Sequence, residues 1–157
     1  MKHQLFETVG EDMKVSIEEI SKEKEEEILI RCHEVDDEIY EIVNKLETEN
    51  LILIGYHNDI INRIKLSDIY YFEAVDGKVF MYSKDNVFEI KQKLYELEEL
   101  CKERNCFRAS KSTILNIAKI SVINPSISGR FESLLDNGER VVVSRQYVPV
   151  LKNMLGL

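Results

Sequence analysis

The chain has 157 residues, of which 44% are hydrophobic and 32% charged, about one domain's length with enough apolar material for a core. Apolar runs such as Leu51 to Ile54 fall far short of the roughly 20 residues that cross a bilayer. No charged-apolar-small secretory pattern opens the chain, so a cytoplasmic protein with no membrane partner is expected.

The formal net charge of −8 is unevenly distributed. Residues 1–50 carry 6 Lys+Arg against 16 Asp+Glu, residues 51–100 carry 6 against 9, and residues 101–157 carry 9 against 4. A cationic last third behind an anionic first third suits a protein that meets polyanions with one surface and repels them with another. Cys32, Cys101 and Cys106 are odd in number and irregular in spacing, which fits a reducing compartment and no disulfide framework. With His3, His33 and His57 spread over the acidic part, no metal-ligand spacing can be read and no cofactor is expected.

In chain order, the opening stretch to Glu27 is rich in Glu, Lys and Ser, and its Glu23 to Glu27 charge run reads as solvated. Ile28 to Cys32 is a short apolar run that predicts a strand. Val35, Ile39, Ile42 and Leu46 follow at helical spacing, with Asp36 or Asp37 as the cap. Leu51 to Tyr56 and Ile60 to Leu66 read as strands around a His57-Asn58-Asp59 turn. Residues 1–57 are thus expected to form a small strand-helix-strand segment that serves dimerisation, because Ile39, Ile42 and Leu46 need a surface to cover them. Residues 58–157 are expected to form the main domain.

That main domain reads as hairpins. Ile69 to Ala74 is aromatic and β-branched, Asp76-Gly77 is a two-residue turn, and Val79 to Tyr82 returns. Lys84-Asp85-Asn86, Ser128-Gly129 and Asn137-Gly138 repeat the pattern between further strand-like runs. Ile90, Leu94, Leu97 and Cys101 mark one face of a helix, and Val148, Leu151 and Leu155 mark a terminal one containing Pro149. The fold class is α+β, mostly antiparallel β.

No Gly-rich phosphate loop, G-x-S-x-G elbow, H-E-x-x-H or C-x-x-C spacing is present, so an enzyme is not expected. Phe107-Arg108-Ala109-Ser110-Lys111-Ser112-Thr113-Ile114-Leu115-Asn116 instead crowds cations, hydroxyls and an amide at a strand end. Those groups suit a phosphodiester backbone, although Asn116 equally suits a turn. Ser144-Arg145-Gln146-Tyr147 adds an Arg and a Gln, which read guanine and adenine edges bidentately, and Asp76-Gly77-Lys78-Val79 places a cation at a hairpin tip.

From about Ile64 onward these motifs resemble the LytTR-type DNA-binding domain of bacterial transcription regulators. The resemblance is carried by Asp68 to Ala74, Asp76-Gly77-Lys78, the Phe107 to Asn116 stretch, Asn137-Gly138-Glu139 and Val143 to Pro149. The whole chain is similar to small stand-alone members without a receiver domain. The resemblance implies an elongated β fold with two helices, whose loops enter successive major grooves of double-stranded DNA. It places base contacts near Val79, at Ser110 and Lys111, and at Arg145 and Gln146. Arg108, Ser112 and Asn116 match the most characteristic positions and are expected to be partly architectural. Many members have His at the Ser110 position, Arg or Asn at the Lys111 position and Tyr or His at the Val79 position, so a target sequence does not transfer.

Phosphate contacts are expected from Lys78, Arg108, Lys111, Arg130 and Arg145, and five of them would give a salt slope of roughly −4 to −5. The leading expectation is a homodimeric, sequence-specific transcription regulator with no small-molecule substrate. The alternatives are a protein-interaction module using exposed hairpin edges and a thiol enzyme working through Cys101 or Cys106.

Overall fold

The computed structural model describes residues 4–7, 14–48 and 51–157. Of the opening stretch to Glu27, residues 1–3 and 8–13 lie outside the described residues. The chain divides into two compact units, Met1–Val35 and Asp36–Leu157. In the first, β1 (Gln4–Glu7) and β2 (Lys14–Ile17) pair antiparallel. Residues 28–32, where the apolar run predicts a strand, are irregular: Ile28 and Leu29 are exposed, and no described strand pairs with them. An apolar run makes a strand only where a ladder partner takes up its backbone groups.

The second unit opens with α1 (Asp37–Thr48). Asp36 caps it, its Oδ1 accepting from the backbone N–H of Ile39 at 3.0 Å, while Asp37 and Glu38 put negative charge at the positive end of the helix dipole. Ile39 is buried and Ile42 and Leu46 are half-buried.

β3 (Ile52–His57) and β4 (Ile60–Lys65) form a hairpin at one edge of a seven-stranded antiparallel sheet ordered β4-β3-β7-β6-β5-β9-β8. The other strands are β5 (Ile69–Val75), β6 (Lys78–Ser83), β7 (Val87–Ile90), β8 (Cys106–Arg108) and β9 (Thr113–Asn116). A division at 57/58 therefore falls inside the β3-β4 turn, and β3 belongs to the sheet of the second unit. At the β5-β6 turn, Asp76 and Gly77 take φ of 50° and 77°, the left-handed pair that matches the twist of a tight hairpin.

One face of this sheet packs on α2 (Leu94–Leu100), burying Leu53, Ile64, Phe72, Met81, Ile90, Leu94, Leu97 and Ile114 together. Ile90, assigned to the helix by its spacing, instead ends β7. Glu96 accepts from the backbone N–H of Lys93 at 2.7 Å and so fixes the start of α2 at Leu94.

A second antiparallel sheet of β10 (Ile120–Pro125), β11 (Phe131–Leu135) and β12 (Arg140–Val143) follows, and α3 (Val148–Met154) ends the described fold. Tyr70, Phe107, Ala109 and Leu115 from the large sheet are buried with Leu135 and Val143 from the small one and Val148 and Leu151 from α3. Two sheets and a helix thus close one seam. Pro149 sits in the first turn of α3, where its missing N–H removes no helical bond. The observed class is mostly antiparallel β with three helices among the described residues, as the sequence predicts.

Candidate nucleic-acid interface

The tip between β8 and β9 is a tight loop. Thr113 O accepts from the N–H groups of Ala109 at 2.9 Å and Ser110 at 3.3 Å, and Ser110 Oγ accepts from Ser112 N at 3.2 Å. Arg108 clamps it from behind. Its Nε donates to Ser110 O at 3.0 Å, its Nη2 to Lys111 O at 3.0 Å, and its Nη1 meets Glu98 of α2 at 3.1 Å. Charge-assisted donors on two successive carbonyls hold the tip so that the Lys111 side chain stands in solvent. Arg108 is thus engaged internally, a positioning residue more than a free phosphate ligand.

Two neighbours gather at this tip. Ser112 O accepts from Ala74 N at 2.8 Å, so the loop abuts the end of β5 that runs into the Asp76-Gly77 turn. Ala109 O accepts from Ser144 N at 2.8 Å, which brings the segment after β12 alongside. Arg145 then reaches the turn between β10 and β11, its Nε and Nη2 donating to Ser128 O at 3.0 and 2.6 Å. Gln146 is exposed beside it. A cleft of about 390 Å³ opens where these pieces meet, lined by Ser110, Arg130 and Ser144 together with Tyr71, Glu73, Thr113, Arg140, Val141 and Val142.

Two of the sequence-predicted residues do not reach a surface. Val79 is only 6% exposed and packs in the core with Met81 and Ile90, so its side chain has nothing to offer a base. Its strand, Val79-Phe80-Met81-Tyr82, is apolar throughout, and the sequence leaves open which parity points inward. Asn116 is also buried: its Nδ2 donates to Ile69 O at 2.8 Å and its Oδ1 accepts from Ala118 N at 3.0 Å. It holds the turn after β9. Ser112 is half-buried inside the loop, with its N–H on Ser110 Oγ. Lys78 is exposed and pairs with Glu89 at 3.1 Å, a surface ion pair of little net worth that a phosphate can displace.

Sequence reasoning missed Arg140, which lines the cleft and pairs with Glu132 at 2.8 Å. It reads as an ordinary strand-starting cation until the two sheets meet. The seam beneath holds a polar pair. Tyr70 donates to Asp136, and that hydrogen bond, with burial, pushes the Tyr70 phenol up to about 12. Tyr71 stacks on Tyr82 with centroids 4.3 Å apart, and burial raises both of their phenols. Among the described residues no group of three or more His, Cys, Asp and Glu is placed to hold a metal. Cys101 and Cys106 are both buried.

The family model of the LytTr DNA-binding domain matches residues 59–156. A LytTr DNA-binding domain of a putative methyl-accepting/DNA response regulator from Bacillus cereus superposes with a TM-score of 0.64 at 29% identity, covering 68% of this chain and 97% of that one. Over 147 residues the chain is 27% identical to an uncharacterized HTH-type transcriptional regulator of Staphylococcus aureus strain MSSA476, covering 92% of this chain and 99% of the relative. A relative from strain NCTC 8325 is 26% identical over the same coverage. The family match over residues 59–156 and the superposition on a LytTr domain lead to one conclusion: the chain belongs to the LytTR family of DNA-binding domains.

Proposed function

We propose that this chain is a cytoplasmic, non-catalytic transcription regulator that recognises specific sequences in double-stranded DNA through loops entering the major groove. The observation that carries the reading is the convergence of three segments on one side of the second unit. The tip around Lys111 is tied to the Ser144 to Gln146 segment through Ala109 O, and that segment is tied to the Ser126 to Arg130 turn through Ser128 O. Lys111, Arg130 and Gln146 are exposed there, offering cations for phosphates and an amide for base edges. The three helices are separated by strands, so no two of them make a helix-turn-helix among the described residues.

The test is selection of bound fragments from sheared genomic DNA, run beside a Lys111→Ala, Gln146→Ala double variant. Enrichment of a short motif by the wild type, lost in the variant, is the expected result. No enrichment by folded wild-type protein would reject the reading in favour of a protein-interaction module, which the family match does not favour.

The reading includes a homodimer through residues 28–57. Ile28, Leu29, Val35 and Tyr40 are exposed apolar side chains in that stretch, whereas Ile39 is buried. Sedimentation equilibrium of the full chain over a range of concentrations tests it, and a single monomer mass throughout rejects it.

A further inference from the structure

The turn between β10 and β11, Ser126-Ile127-Ser128-Gly129-Arg130, carries an isoleucine at its tip. Ile127 is 109% exposed, more open than in an extended peptide. Isolated apolar residues on a surface are common and mean nothing by themselves, but this one is held rigidly. Ser126 N donates to Arg130 O at 2.9 Å, Ser126 Oγ donates to the same carbonyl at 2.9 Å, and Gly129 N returns to Ser126 O at 3.1 Å. The Ser126 and Ser128 hydroxyls meet at 2.7 Å. Gly129 takes φ of +81°, and a Cβ there would stand 3.1 Å from Arg145 Nε. Arg145 itself fixes the turn through two donors on Ser128 O. A hydrogen-bonded turn, locked from outside by a guanidinium, therefore projects one β-branched apolar side chain into water between the exposed cations Arg130 and Arg145.

We propose that Ile127 is a base-reading residue, making apolar contact with the 5-methyl group of a thymine in the groove that Arg145 and Gln146 enter. This rests on the DNA-binding reading above. The pairing of parts follows from chemistry: the flanking cations meet backbone phosphates, and a methyl group is the one apolar feature that a base pair displays in the major groove. Because Ser128 O is bound to Arg145, Ile127 lies one residue from that anchor and shares its approach to the duplex. The stiff β-branched shape of Ile127 loses little rotamer freedom on contact. Arg145 is on this view a positioning residue for the turn as well as a cation beside the DNA.

The experiment uses the full chain and the operator recovered by the genomic selection. Each thymine of that operator is replaced in turn by deoxyuridine, which lacks only the methyl group, and affinity is measured at fixed salt for wild type, Ile127→Val and Ile127→Ser. At one or two positions deoxyuridine is expected to weaken wild type about fourfold, the worth of one buried methyl group, and to leave Ile127→Ser unaffected. Ile127→Ser is expected to bind the thymine operator roughly tenfold more weakly, with non-specific affinity and salt slope unchanged because no charge is removed. Ile127→Val should retain most of the affinity. Since Ile127 touches solvent only, none of these variants should alter the unfolding transition.

Equal binding by Ile127→Ser and wild type would overturn the proposal, as would indifference to deoxyuridine at every position, or a loss in Ile127→Ser that is the same on non-specific duplex. In each of these cases the operator is still bound, so the DNA-binding reading survives. Absence of any operator overturns both together.

Discussion

Asn116 and Lys111 stand five residues apart in one motif and do opposite things. The Asn116 amide bridges the backbone of β5 and the turn after β9, using both its donor and its acceptor inside the protein. Removing it in Asn116→Ala leaves Ile69 O and Ala118 N without their partner in a buried place. A loss of about 2 kcal/mol is expected in urea unfolding, while affinity for DNA per folded molecule stays unchanged. A stability unchanged within error would show the amide to be dispensable to the fold. Sequence alone leaves Asn116 open between turn and ligand, because an amide suits both and only burial separates them. For Val79 the sequence is silent in another way. Four consecutive apolar residues carry no alternation, and the side that faces α2 is set by the register Val79↔Ile90 and Ala74↔Val79, which is long-range information.

Among the elements, turns were the most legible and their mutual contacts the least. Asp76-Gly77 and Asn137-Gly138 announce hairpins because few residues accept positive φ, and both turns are present with Gly77 and Gly138 at 77° and 89°. The apolar run from Ile28 to Cys32 misled, since nothing in its composition reveals that no strand will pair with it. Equally hidden was the bond from Arg145 to Ser128 O, 17 residues back along the chain. The clamp on the β8-β9 tip shows what such contacts decide. Arg108→Lys keeps the charge but loses the fork that spans the Ser110 and Lys111 carbonyls. Both affinity for DNA and hydrogen-exchange protection of the tip amides should fall in this variant. Lys111→Ala, which touches no internal partner, should weaken DNA binding with no change in protection. If Arg108→Lys lowered affinity while leaving the tip protected, the positioning role would be wrong and Arg108 would act on the duplex directly.

At the scale of the second unit, the seam between the two sheets and the charge on its surface respond to different solution variables. The seam responds to alkali. The Tyr70 phenol, raised by its bond to Asp136 from 10.0 to about 12, keeps its proton in the folded state over a range where the unfolded chain releases it. Folding stability therefore falls as pH rises from about 10 to about 12 and loses nothing further from this group above that range. In Tyr70→Phe the corresponding part of the fall is absent, so the stability gap between wild type and variant should narrow between about pH 9 and about pH 12. A constant gap across that range would mean that the bond does not couple to ionisation.

The surface responds to salt. The net charge of −8 opposes a polyanion on average, yet the Debye length of about 8 Å at physiological ionic strength confines each charge to its neighbourhood. What a duplex meets is therefore local. With Arg108 half-buried and bonded internally, the exposed cations at the converging loops are Lys111, Arg130 and Arg145, whose guanidinium holds Ser128 O yet stands at the surface, and Lys78 joins them when it releases Glu89. Three to four neutralised phosphates give log K against log salt a slope of about −3 to −4, shallower than a count that includes Arg108. Lys111→Ala should reduce the slope by about one. A wild-type slope near zero would remove the electrostatic basis for placing DNA at these loops, and a slope steeper than about −5 would mean that cations outside them reach the backbone as well.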